Sequence, residues 1–154
     1  MGYDELLIEA TDKGLIVKEG PLRASDGRCK GCKIAIRQDI PTLSKKADTL
    51  AEEMGHYFTG IGDITRLENT KARKQEHTAR LWAYNKRIGL TGILKAFQNH
   101  CTSRYEIAEY LDVSEDTLAE ALEYYRQIYG ESIRVDNYLV CFEPSLRVYE
   151  YFVI

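Results

Sequence analysis

The sequence predicts an α+β fold, mainly helical, with a small antiparallel sheet near its start and a β-hairpin at its C-terminus. Three observations predict it. Residues 43–58 place apolar side chains on one helical stripe, and 71–87 read as a second long helix. "KIAIRQDI" alternates at the period of a strand, and "GRCKGCKIAI" reads as two strands turning at Lys30-Gly31. Ser103-x-x-Glu106 and Ser114 are capping signals that open two later helices.

Taken in order, Tyr3–Asp12 is expected to be a short helix with Leu6, Leu7 and Ala10 on one side, ended by Gly14. "LIVKEG" reads as a strand and residues 20–27 as a loop. In residues 33–40, Ile34 and Ile36 alternate with Lys33, Ala35 and Arg37, and Pro41 ends the strand. Thr42 or Ser44 caps the helix that follows, whose stripe is Leu43, Ala47, Leu50, Ala51, Met54 and Phe58. Gly60 and Gly62 break the chain, and 63–70 reads as a loop. Thr91 is the expected cap of a shorter helix, "GILKAF", and Gly130 closes the helix opened by Ser114. "NYLVCFEP" and "RVYEYFVI" read as a hairpin turning near Pro144-Ser145. The expected division is a core over 1–90 and a helical segment with hairpin over 91–154, which can pack as one domain with the core.

Composition narrows the function. With 21 basic and 24 acidic residues in 154, the chain has a formal charge of −3, which offers no general attraction to nucleic acid or anionic membrane. No apolar run approaches the roughly 20 residues of a membrane span. "MGYDELLIEA" lacks a signal-peptide core, and Leu6 breaks the myristoylation pattern that Gly2 would begin. A cytoplasmic location is the expectation. Cys29 and Cys32 have CxxC spacing, but Cys101 and Cys141 are 40 residues apart and supply no second pair for a structural zinc. The two read as reduced cysteines beside a tight turn.

The stretch with chemistry is "LAEEMGHYFTG", residues 50–60. At about 100° per residue, Glu52 and His56 lie roughly opposite the apolar stripe, with Glu53 beside them. In an H-E-x-x-H helix, two His one turn apart hold zinc and the intervening Glu takes a proton from water. Here Glu53 holds the base position, His56 the second ligand position, and Glu52 stands where the first His belongs. A Glu at i with a His at i+4 preserves the reach to one ion. Two carboxylates with one imidazole also make the surroundings more negative and favour harder ions. Taken alone, the same string is more often the solvated face of an ordinary helix. Glu53-x-x-His56 has the spacing of a di-iron pair, but no second such pair exists in the chain.

"TLAEEMGHYFTGIGD" followed by "KQEHTARLWAYNKRI" resembles the ImmA/IrrE family of metallopeptidases, over about residues 30–90 and more loosely beyond. That resemblance implies a zincin-like metallopeptidase core. It also implies a third ligand from the next helix, in an E-x-x-A-x-x-F/W-A pattern that Glu76, Ala79, Trp82 and Ala83 match. Glu52, His56 and Glu76 would then hold the metal and Glu53 would be catalytic. Zinc is the implied ion, with another divalent metal or no metal as alternatives. His77, about 100° from Glu76, and His100, at a helix end, read as surface residues. The basic cluster Lys45, Lys46, Lys71, Arg73 and Lys74 reads as a solvated face. Tyr57 is read as a packing residue, and the tyrosines at 124, 125, 129, 149 and 151 as core or interface aromatics.

"SRYEIAEYLDVSEDTLAEALEYYRQ" looks like a helix-turn-helix, with a hairpin after it as in a winged helix. A DNA-reading second helix needs Arg, Lys, Asn or Gln at base edges. This one opens Glu115-Asp116, and acidic residues dominate 104–125, a surface that repels phosphate. Three functional expectations follow. The first is an ImmA-like metalloprotein that inactivates a phage or mobile-element helix-turn-helix repressor by metal-dependent cleavage. The second is a catalytically degenerate anti-repressor acting by binding alone. The third is a winged-helix DNA-binding regulator. The expected partner is the repressor protein, not nucleic acid or membrane.

Overall fold

Residues 1–60 and 69–151 are described by the structure, a computed structural model. They form six α-helices and six strands and divide into two units, Met1–Arg87 and Ile88–Ile154. Among them no helix is long and apolar enough to cross a membrane.

The first unit opens with α1, Tyr3–Asp12, which buries Tyr3, Leu6 and Ala10. Strands β1 (Ile16–Gly20), β2 (Gly27–Lys30) and β3 (Lys33–Arg37) form a sheet in the order β1-β3-β2. The expected hairpin exists as β2–β3, with its two-residue turn one position later than expected, at Gly31-Cys32. The sheet is mixed, not antiparallel, because β1 runs parallel to β3. The physical reason is burial. Ile34 and Ile36 are the sheet's most deeply buried residues, so their strand takes the centre and the hairpin's other arm becomes an edge.

Helix α2, Leu43–Phe58, starts where expected: the Thr42 hydroxyl accepts from Lys45 N at 3.1 Å. Its inner face, Ala47, Leu50, Ala51 and Met54, packs with Leu6, Ala10, Ile34 and Ile36 in one core. Leu43 was expected on this stripe but is 63% exposed, since it lies in the first turn beyond the end of the core. Helix α3, Asn69–Arg87, begins two residues before the expected start and takes in residues 69 and 70 of the expected 63–70 loop; the rest of that loop, with Gly62, lies outside the described residues.

Arg87 ties the ends of this unit together. It is the buried charged residue of the described chain, and its guanidinium donates to Asp48 Oδ1 at 2.8 Å, to Ser44 O at 3.2 Å and to the Met1 carbonyl.

The second unit contains α4 (Gly89–Gln98), α5 (Arg104–Leu111) and α6 (Glu115–Tyr129), then the antiparallel sheet β4 (Ser132–Val135), β5 (Tyr138–Cys141) and β6 (Arg147–Glu150). Thr91 is inside α4, not its cap. The helix starts at Gly89, which has φ +66°, and Gly89 N donates to the buried Tyr125 hydroxyl at 3.2 Å, a tertiary bond in place of a side-chain cap. Ser103 and Ser114 cap α5 and α6 as expected, and Asp112 turns the chain between them in the left-handed conformation. The expected hairpin is β5–β6, and β4 adds a third strand. Of the tyrosines read as core or interface residues, Tyr125 is buried, whereas Tyr129, Tyr149 and Tyr151 are exposed.

Arg87→Met is expected to destabilise the chain by about 3 kcal/mol, because a buried, multiply bonded cation leaves both α2 and the N-terminus at once. Urea denaturation of wild type and variant measures the difference.

Candidate metal centre

The site is set by a contact between two helices. Gly55 on α2 lies against Ala79 on α3 so closely that a Cβ at position 55 would stand 2.4 Å from the Ala79 carbonyl oxygen. Ala79 and Ala83 are buried beside this contact. One turn further along, Phe58 and Trp82 stack at 5.2 Å between ring centroids. Lys13 and Lys86 ammonium groups cover these rings at 5.5 and 5.4 Å. The small residues and the Trp of the 76–83 pattern therefore have a physical use: they seat α3 on α2.

This seating brings Glu76 to the exposed flank of α2. Glu52, His56 and Glu76 each offer a ligand atom, and these atoms all lie within 4.8 Å of one another. His56 Nε2 is 3.3 Å from Glu76 Oε2. All three side chains are half-buried, at the mouth of the helix pair and not in the core. Among the described residues, His56 Nδ1 is buried with no hydrogen-bond partner.

Glu53 stands apart from the three. Its side chain lies against β2, with Cγ 2.9 Å and Oε1 3.1 Å from where a Gly27 Cβ would be. The missing side chain at Gly27 makes room for it. Burial, then the charge of Glu76, pushes the Glu53 carboxyl up to about 7. Cys29 on the same strand is raised to about 11, by burial and then by Glu53 and Cys32, so it stays a thiol at neutral pH.

The two clustered carboxyls split. Burial, then a hydrogen bond to Glu76, raises Glu52 to about 7, against a lowering pull from Arg80. Burial also opposes ionisation of Glu76, but the bond from Glu52, the neighbouring His56 and Arg80 outweigh it and hold Glu76 below the usual range. Without a cation the pair shares one proton, as close carboxylates do. Two carboxylates and an imidazole from two rigid helices are a donor set that suits zinc and other divalent ions.

Glu52, His56 and Glu76 are thus brought together, with Glu53 beside them against the sheet. His77 is half-buried and His100 is exposed, and neither belongs to the group. Tyr57 is partly exposed and meets Phe58 edge-on at 5.0 Å. Two residues were not anticipated. Arg80 donates to Glu76 Oε1 at 3.2 Å, a pairing whose signal is the i, i+4 spacing of Glu76 and Arg80. Gly27 frees the space for Glu53, and its signal is an isolated glycine at the start of a strand.

The chain matches no family model and no curated protein.

If the group holds a divalent ion, Gly55→Ala is expected to weaken its binding at least about tenfold by pushing α3 off α2, although alanine is the better helix former by about 1 kcal/mol. Chelator competition measures this. A pH effect also follows for the metal-free protein. Glu52 and Glu53 sit near 7 when folded against about 4.5 otherwise, so the folded chain holds protons that the unfolded chain has released in that window. Stability is expected to fall as pH rises through it. Thermal melts in chelator at about pH 5.5 and about pH 8 are expected to show this loss, and a smaller loss in Glu52→Gln.

Proposed function

We propose that this chain is a metallopeptidase of the ImmA/IrrE type, with a zincin-like core, that inactivates a helix-turn-helix repressor of a phage or mobile element by cutting it. The observation that carries the reading is the convergence of Glu52, His56 and Glu76, from two helices, to within 4.8 Å. The 76–83 pattern that suggested the third ligand also supplies the small residues of the helix contact, and this supports the resemblance.

In this reading Glu52, His56 and Glu76 hold zinc. The ion supplies Lewis acidity, polarising a peptide carbonyl and making water easier to deprotonate. Glu53 is the group for the proton. Burial against β2 favours the protonated form of this carboxyl, which suits it to take a proton and hand it to the leaving amine. The wall of β2 behind it limits its motion and keeps it partly dry. The acidic segment from α5 to α6 suits a basic protein partner and disfavours DNA.

A second reading is kept by one observation: two carboxylates, not one, stand with the imidazole in the group. More anionic ligands blunt Lewis acidity, and a blunted site fits an anti-repressor that works by binding alone.

The test incubates the purified protein and zinc with the repressor encoded beside it. Wild type is expected to give two fragments, and Glu53→Gln to slow cleavage by at least about 100-fold. A chelator is expected to stop the reaction. Intact repressor with both proteins, co-eluting as a stable complex, would instead establish the binding reading.

A further inference from the structure

Besides its hydrogen bond with Glu52, Glu76 turns one oxygen to His56 and the other to Arg80. Oε2 lies 3.3 Å from His56 Nε2, on the side where the donor atoms gather. Oε1 accepts from Arg80 Nε at 3.2 Å. The same Arg80 nitrogen lies 3.7 Å from Glu52 Oε1. One guanidinium therefore serves both carboxylates of the site. Arg80 follows Glu76 by one helical turn, so α3 itself fixes the pairing.

We propose that Arg80 is the charge substitute for the imidazole that Glu52 replaces. This rests on the metal-site reading above. Glu at i and His at i+4 span the same turn as two His would, so the exchange alters charge far more than reach. Two neutral imidazoles and one carboxylate bring a net charge of −1 to an ion. One imidazole and two carboxylates bring −2. The guanidinium, which stays protonated throughout the working pH range, returns the total to −1. Arg80 touches no substrate in this account. It acts through Glu52 and Glu76, by withdrawing negative charge from the face they turn to the ion.

The sign of its effect on metal binding separates this role from a structural one. A guanidinium paired with both carboxylates would repel a divalent ion held by them; for charges of +1 and +2 at roughly 6 Å and water-like screening, its removal would tighten binding by about tenfold. A residue that merely held Glu76 in place would do the opposite, and its removal would loosen the ion. Charge substitution thus predicts tighter metal and slower chemistry from the same variant.

The experiment measures zinc affinity of the full chain, by competition with a chromogenic chelator, for wild type, Arg80→Gln, Arg80→Lys and the double variant Glu52→His with Arg80→Gln. Circular dichroism establishes that each is folded. Arg80→Gln is expected to bind zinc about tenfold more tightly, Arg80→Lys like wild type, and the double variant within about threefold of wild type. Unchanged or weaker binding in Arg80→Gln overturns the proposal. Cleavage of the repressor is read separately, with Arg80→Gln expected to be slower than wild type and the double variant to recover. If the affinities follow this order but wild type cuts nothing, the peptidase reading fails and the charge substitution stands. If wild type cuts and Arg80→Gln binds zinc as before, only the charge substitution fails.

Discussion

The approach of Gly55 to Ala79 governs the first unit. A glycine inside a helix costs about 1 kcal/mol relative to alanine, so its place in α2 needs a compensating contact. The compensation is visible: the α3 backbone occupies the volume a Cβ would need. Once the two backbones touch, the rest is helical arithmetic. Glu52 and His56 are one turn apart on α2, and Glu76 and Arg80 are one turn apart on α3. The two pairs face each other, with Arg80 near both carboxylates. Phe58 and Trp82 stack on the same pair of helices and oppose their sliding.

Helix α2 has work on three sides. Its apolar side fills the core with α1 and β3, its glycine side receives α3, and Glu53 points to the edge strand β2. The order β1-β3-β2 matters here. Putting the isoleucine strand in the centre leaves the glycine-led strand at the edge, where Gly27 meets Glu53. A side chain at 27 would press on both Thr49 and Glu53. Fold and site are therefore coupled through one strand position.

Much of this was legible in the sequence where local rules decide. Ser103 and Ser114 cap the helices they were read to cap, and Thr42 is the one of the two candidates, Thr42 or Ser44, that caps α2, because a cap depends on three or four neighbouring residues. Ala47, Leu50, Ala51 and Met54 are buried because a helical stripe has one way to face a core. The grouping of Glu76 with Glu52 and His56 was legible only through a family pattern, since no periodicity relates residues 24 and 20 apart on different helices. What escaped was tertiary. Thr91 lost its cap role to a bond between Gly89 and Tyr125, 36 residues away. The parallel pairing of β1 with β3 follows from which strand is most buried, not from any turn. Leu43 continues the stripe in sequence but lies past the end of the core in space. Strand β4 did carry a signal, Asp136-Asn137 between alternating residues, with Asp136 at φ 52° as tight hairpin turns require.

The electrostatics of the cluster bear on why such an arrangement persists. Two carboxyls held near an imidazole, partly out of water, repel one another, and packing alone gives no reason to place them there. In the metal-free chain the repulsion is relieved by a proton on Glu52 and by the guanidinium of Arg80. A proton is a poor partner for this geometry, because it satisfies one oxygen where three donor atoms lie within 4.8 Å of one another. A divalent cation would engage all three donors and remove the need for the proton. Repulsion tolerated in the absence of an ion is thus the same quantity that favours ion binding. Helices held together by the Gly55–Ala79 contact and the Phe58–Trp82 stack keep the carboxyls from relaxing apart, and that would turn an electrostatic cost into affinity for a cation.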